Sequence, residues 1–133
     1  MRNEMGLNQQ VQFIGFKKKE ELKEYYVAAD LFCLQTRGDV WGLVINEAMA
    51  TGLPVITTDK CGAGLELVQN GREGFIVAAE NYHKVAAAIQ KIIDNDDMRR
   101  MMATNSLLKI NNYTIKKMAK AHYSALCLCQ EGN

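Results

Sequence analysis

Two carboxylates, Asp39 and Glu47, stand with seven residues between them in the run GDVWGLVINEAMATGLPVITT, residues 38–58. Leu43, Val44, Ile45, Ala48, Met49 and Ala50 leave that run almost no polar face, and an acid in such company needs a partner. Gly42 opens a helix directly after a strand and a loop. The amides of a first helical turn have no backbone partners, and the helix dipole favours negative charge there. Trp41, Gly42, Leu43 and Val44 therefore form a candidate phosphate cradle. A glycine at 42 lets an anion approach the backbone closely. A branched residue there is expected to block the anion and leave the fold largely intact. Glu47 lies four residues past Leu43 and emerges on the same face one turn deeper. It suits acceptance of hydrogen bonds from vicinal hydroxyls, as acids do for a ribose in dinucleotide folds. Asp39, in the loop before the helix, suits a second set of hydroxyls. An anion flanked by two polyols describes a nucleotide diphosphate sugar.

Each residue also has a plainer reading. Asp39 can cap the helix, since Asp is a common N-cap. Glu47 can pair with Arg37 or sit at the surface. Gly62, Ala63 and Gly64 can form only a turn, although their place at a strand's carboxyl end also suits ligand contact. Taken with the glycines and the strand context, the ligand reading leads. Lys17 and Lys18 lie near a strand end and are weaker candidates for phosphate neutralisation; the stretch KKKEELKEYY reads first as a solvated helix face. His83 reads as a solvated or capping residue. His122 lies on an apolar helical stripe and reads as packing. Met98, Met101 and Met102 read as core. No Ser or Cys pattern accompanies the histidines, so a hydrolase triad is rejected.

The elements that must position these residues follow from periodicity. VQFIGF (Val11 to Phe16) alternates and reads as a strand, followed by a helix carrying Leu22, Tyr25, Tyr26 and Ala29. LFCLQ (Leu31 to Gln35) is a short buried strand. The helix from Gly42 ends at Ala50, where Gly52 suits a left-handed cap and Pro54 prevents continuation. PVITT is a third strand, LELVQN a short helical turn, and GREGFIV a turn into a fourth strand. Asn81, Asp96 and Thr114 are candidate caps of three trailing helices. Strand and helix alternate with short loops, which marks an α/β chain with a Rossmann-like parallel sheet and helices on both faces. Four strands are few for a doubly wound domain.

The 133 residues fit a single domain, 1–133, with an apolar share of 48% and a charged share of 23%. Net charge is +1 and the only basic block is Lys17 to Lys19, which argues against nucleic acid as a partner. Cys33, Cys61, Cys127 and Cys129 lack metal-site spacing; the C-x-C pair points about 200° apart on a helix. All four read as free thiols in a reducing compartment. No apolar run approaches the roughly 18 residues of a membrane span. The polar start MRNEMGLNQQ does not read as a signal peptide.

DVWGLVINEAMATGLPVITT followed by GLELVQNGREGFIV closely resembles the C-terminal domain of the family 4 glycosyltransferases, the large retaining group with the GT-B fold. The signature there is an acid, seven residues and a glutamate, inside E-x-F-G-L-V-x-x-E-A-M-A-x-G-x-P-V. The resemblance runs from about Val11 to the end and is densest from Asp39 to Val77. It implies a partial GT-B C-terminal domain that binds a nucleotide diphosphate sugar and passes the sugar to an acceptor hydroxyl. By it, Glu47 holds the nucleotide ribose and Asp39 contacts donor-sugar hydroxyls, and these two are the catalytic candidates. Gly42, Leu43 and Val44 offer amides to the donor phosphates, Gly15 and Phe16 border the base, and Glu66 belongs to the donor loop after the third strand. Trp41 stands where phenylalanine is usual, and Asp39 where a longer glutamate is commoner.

The family's phosphate-neutralising Arg and Lys should lie before Val11, and its acceptor domain precedes them. The resemblance therefore covers roughly the last third of an enzyme, expected to be inactive alone. It further implies that no metal or other cofactor is required. The acceptor is a glycan or glycolipid reached through the N-terminal domain, in bacterial surface polysaccharide or lipopolysaccharide synthesis. The place is the cytoplasm, with peripheral association at the inner face of the membrane open to the full enzyme. The alternatives are a non-catalytic nucleotide-sugar-binding module, a truncated remnant, or an epimerase-like domain.

Overall fold

The computed structural model describes residues 4–130, with side chains described through residue 127. In chain order the elements are α1 (Lys19–Ala28), β1 (Phe32–Leu34), α2 (Leu43–Ala50), β2 (Val55–Thr58), α3 (Gly62–Leu67), β3 (Gly74–Val77), α4 (Tyr82–Ile93), α5 (Asp96–Ile110) and α6 (Ile115–Gln130). The sheet runs β1-β2-β3 and both pairings are parallel. Phe32, Cys33 and Leu34 lie opposite Val55, Ile56 and Thr57. Val55 to Thr58 lie opposite Gly74 to Val77.

Strand periodicity divides the core. Val55 turns to one face and packs with Ile45, Ala48 and Met49 of α2 and Ala63 and Leu67 of α3. Ile56 turns to the other and packs with Val85, Ala88 and Ile92 of α4 and Met102 of α5. Helix α5 serves both faces, because its Ile110 joins the first cluster while Met102 joins the second. The central strand is buried along its whole length, as a parallel strand covered on both faces must be.

The caps explain where helices start. Asn81 accepts from the Lys84 amide at 3.0 Å and Thr114 from the Lys117 amide at 3.3 Å. Glu21 reaches back to the Lys18 amide at 3.0 Å to open α1. Gly52, at φ 77°, ends α2 as expected.

Several expectations are corrected. Val11 to Phe16 is not a strand, so the sheet has three strands among the described residues; Phe13 and Phe16 are 81% and 94% exposed. Alternation alone does not bring a segment into a sheet, and here the edge belongs to β1. Asn95, not Asp96, caps α5, accepting from the Met98 amide at 2.8 Å. Helix α3 begins at Gly62, so the glycine pair belongs to a helix rather than to a turn. His122 is exposed, as are Ile115, Met118 and Leu126 along the same helix. Of the three methionines only Met102 is fully buried. The side chain of Cys129 lies outside the described residues; Cys33, Cys61 and Cys127 are free thiols. No helix is long and apolar enough to cross a membrane among the described residues.

Candidate functional site

The loops that leave the carboxyl ends of the strands are tied to one another. Thr58 donates its hydroxyl to the Thr36 carbonyl at 2.8 Å, and the Asp39 amide donates to the Lys60 carbonyl at 2.9 Å. The Gly62 amide donates to the Asp39 carbonyl at 3.1 Å, and the Ala63 amide to the Trp41 carbonyl. The Cys61 thiol donates to that same carbonyl at 3.2 Å. A side chain at Gly62 would collide with the Val40 carbonyl, 2.1 Å from an ideal Cβ, so this lacing requires glycine there. The start of α2 is thereby held rigidly over the sheet's carboxyl edge, the usual ligand position in open parallel sheets.

Asp39 is exposed, and its Oδ1 accepts from the Trp41 amide at 3.1 Å. It is not the helix cap. The N-cap is Gly42, in the left-handed region at φ 87°, and no side chain among the described residues caps the first turn. The Leu43 and Val44 amides are therefore not taken by Asp39, and Leu43 itself is exposed. The Trp41 amide is occupied, and its indole Nε1 donates to Asn46 Oδ1 at 2.9 Å. Trp41 packs half-buried against the first core cluster.

The reason for glycine at 42 differs from the expectation. A Cβ there would lie 2.7 Å from Cys61 Sγ, inside the protein. The position needs glycine for its backbone and for the thiol beneath it, and a branched residue would disturb the fold directly.

Glu47 is half-buried and faces α1, where the Tyr26 hydroxyl donates to its Oε2 at 3.2 Å. It does not pair with Arg37, which is bonded to Glu80 at 2.7 Å across exposed surface. Glu80 sits at φ 62°, the only non-glycine residue in the left-handed region among those described. Around Glu47 opens a cleft of about 530 Å³, lined by Lys19, Leu22, Lys23, Tyr26, Glu47 and Thr51 among others. Gly42, Leu43, Val44 and Asp39 are not among its walls, and Asp39 stands in the loop before α2. Burial first, then the Glu47 charge and the hydrogen bond, push the Tyr26 phenol up to about 12.

Gly15 and Phe16 lie exposed before α1, Gly15 at φ 64°. Glu66 accepts from the Tyr113 hydroxyl at 2.5 Å, tying α3 to the segment after α5. Sequence reasoning missed Tyr26 and the cleft lysines, weighing Lys17 and Lys18 instead. The available signal was a tyrosine pair, Tyr25 and Tyr26, on the apolar stripe of the preceding helix, each with a polar tip able to meet an acid on α2.

A parallel sheet with helices on both faces and a laced helix start at its carboxyl edge defines a Rossmann-like α/β domain. Residues 1–108 match the family model described as Glycosyl transferases group 1, and the chain belongs to that family. The D-inositol 3-phosphate glycosyltransferase of Corynebacterium urealyticum is 29% identical over 99% of this chain and 32% of its own. The lipopolysaccharide core biosynthesis mannosyltransferase LpsB of Rhizobium meliloti is 34% identical over 87% of this chain and 33% of its own. The chain thus spans about a third of the length of these curated relatives. Among solved structures, the C-terminal domain of the group 1 protein LpcC from Francisella tularensis superposes with a TM-score of 0.79. It is 28% identical, over 86% of this chain and 59% of that one. Anabaena HepE in complex with UDP superposes with a TM-score of 0.82 at 26% identity, over 97% of this chain and 35% of that one.

Proposed function

We propose that these residues form the donor-binding part of a retaining glycosyltransferase of the family 4 type, which moves a sugar from a nucleotide diphosphate to an acceptor hydroxyl. The carrying observation is the start of α2: amides with no side-chain cap, held at the carboxyl edge of a parallel sheet, with a carboxylate one turn deeper. Leu43 and Val44 amides receive the diphosphate and stabilise the charge that grows on it as the sugar departs. Glu47 accepts hydrogen bonds from the ribose, Oδ2 of Asp39 accepts from the donor sugar, and Gly15 and Phe16 border the base. Trp41 and Glu66 complete the donor-binding set, the Trp41 indole donating to Asn46 and Glu66 accepting from Tyr113.

The UDP and UDP-glucose complexes of HepE support a nucleotide-sugar donor. The LpsB likeness supports a glycan or glycolipid acceptor in surface lipopolysaccharide or polysaccharide synthesis, bound by a preceding domain. The family resemblance supports catalysis without a metal, in the cytoplasm or at the inner face of its membrane. It also supports the inactivity of residues 1–133 on their own.

The test is Glu47→Gln in the longest natural chain carrying these residues. A carboxylate that accepts ligand hydroxyls gives charge-assisted bonds worth about 1.5–3 kcal/mol. Nucleoside diphosphate affinity should fall by roughly tenfold or more, with acceptor affinity unchanged. Unchanged nucleotide affinity, read by calorimetry, would remove Glu47 from the site.

A further inference from the structure

Tyr26 has no role in the donor set described above, yet both ends of its side chain are anchored. Its ring packs against Phe32 of β1, centroids 5.7 Å apart and tilted by 59°. Its hydroxyl meets Glu47 Oε2 at 3.2 Å, and Oε1 accepts no hydrogen bond among the described residues. A glutamate alone on a helix rotates about three bonds, and a ligand that uses it must freeze them. A phenol fixed from the sheet below removes that freedom beforehand, leaving one oxygen bound and the other without a hydrogen bond among the described residues, on a side chain that lines the cleft together with Tyr26. A phenol is protonated throughout the neutral range and so remains a donor there.

We propose that Tyr26 is the positioning residue for nucleotide recognition: it holds Glu47 through Oε2 so that Oε1 is presented to a ribose hydroxyl. This rests on the reading of Glu47 as the ribose acceptor. Tyr26 touches no ligand itself and acts through the carboxylate. Its removal therefore weakens only ligands that carry the hydroxyls, and only when Glu47 is present.

The experiment is calorimetry on the longest natural chain with Tyr26→Phe, Glu47→Ala and both together. The probes are UDP, GDP and ADP, and the 2′,3′-dideoxy analogue of whichever binds. Tyr26→Phe keeps the ring on Phe32 and removes only the hydroxyl. It should weaken the nucleotide about threefold to tenfold, the span of one hydrogen bond. The dideoxy analogue should bind wild type and Tyr26→Phe alike, and Tyr26→Phe should add nothing to Glu47→Ala. In turnover, KM for the donor should rise by the same factor with kcat little changed. Equal loss for the dideoxy analogue, or undiminished loss in the Glu47→Ala background, would show that Tyr26 acts independently and overturn the proposal. So would no effect of Tyr26→Phe while Glu47→Ala weakens binding, and in that case the ribose reading survives. If Glu47→Ala is itself without effect, or no nucleotide binds the wild type, the ribose reading fails and the positioning role with it.

Discussion

Gly42 carries two constraints at once, a left-handed backbone and a thiol under its α-carbon. An L side chain in that region costs about 1–2 kcal/mol, and the clash with Cys61 adds to it. Gly42→Ala should therefore lower stability by about 2–3 kcal/mol, read as a shifted urea midpoint with unchanged slope. A variant of wild-type stability would show that the glycine serves the ligand instead. The acids differ in how far their type foretold their surroundings. An acid on the apolar face of α2 demanded a polar partner, and Tyr26 is that partner. Asp39 was legible as an acceptor of a nearby amide, but the amide is Trp41's and not one in the helix. The choice depended on Gly42 taking the cap position, which follows from the packing on Cys61.

Among elements, the helices were the most readable, because caps and apolar stripes are local. The boundary of α5 was misplaced by one residue, since Asn and Asp compete for the same role in DNDD, residues 94–97. The side chain of Asn95 accepts from Met98, so Asp96 enters the first turn and favours the dipole there. Asn95→Ala should cost about 1 kcal/mol, measured by chemical denaturation; Asp96→Ala should cost less. Asp96 is also drawn down in pKa, chiefly by its hydrogen bond with Arg99, but that pair is exposed and contributes little. Strand membership was less readable. VQFIGF has the period of a strand, yet the sheet ends at β1. Pairing is a long-range choice that alternation cannot make.

At the scale of the molecule, two tyrosine–carboxylate ties join distant segments among the described residues: Tyr26 to Glu47 and Tyr113 to Glu66. Both phenols titrate above their ordinary value of 10.0, Tyr26 near 12. The folded state holds these protons more tightly than the unfolded chain does. Their stabilisation is complete below pH 10 and is lost as pH rises from there through about 12. Unfolding midpoints followed from pH 9 to pH 12 should fall across that window. Tyr26→Phe should flatten the fall and leave the part that belongs to Tyr113; an identical profile in the variant would dissociate Tyr26 from Glu47. The order of elements from α1 onward, the parallel class of sheet and the acid, glycine and glutamate of the family signature were determined by the sequence alone. They are carried by periods, caps and spacings within about twenty residues. The facing of Glu47 toward α1, the engagement of the Trp41 amide and the exclusion of residues 11–16 from the sheet were decided by tertiary structure. Each depends on which distant backbone or side chain arrives opposite a residue, a fact set by the packing of helices on the sheet and not by any local pattern.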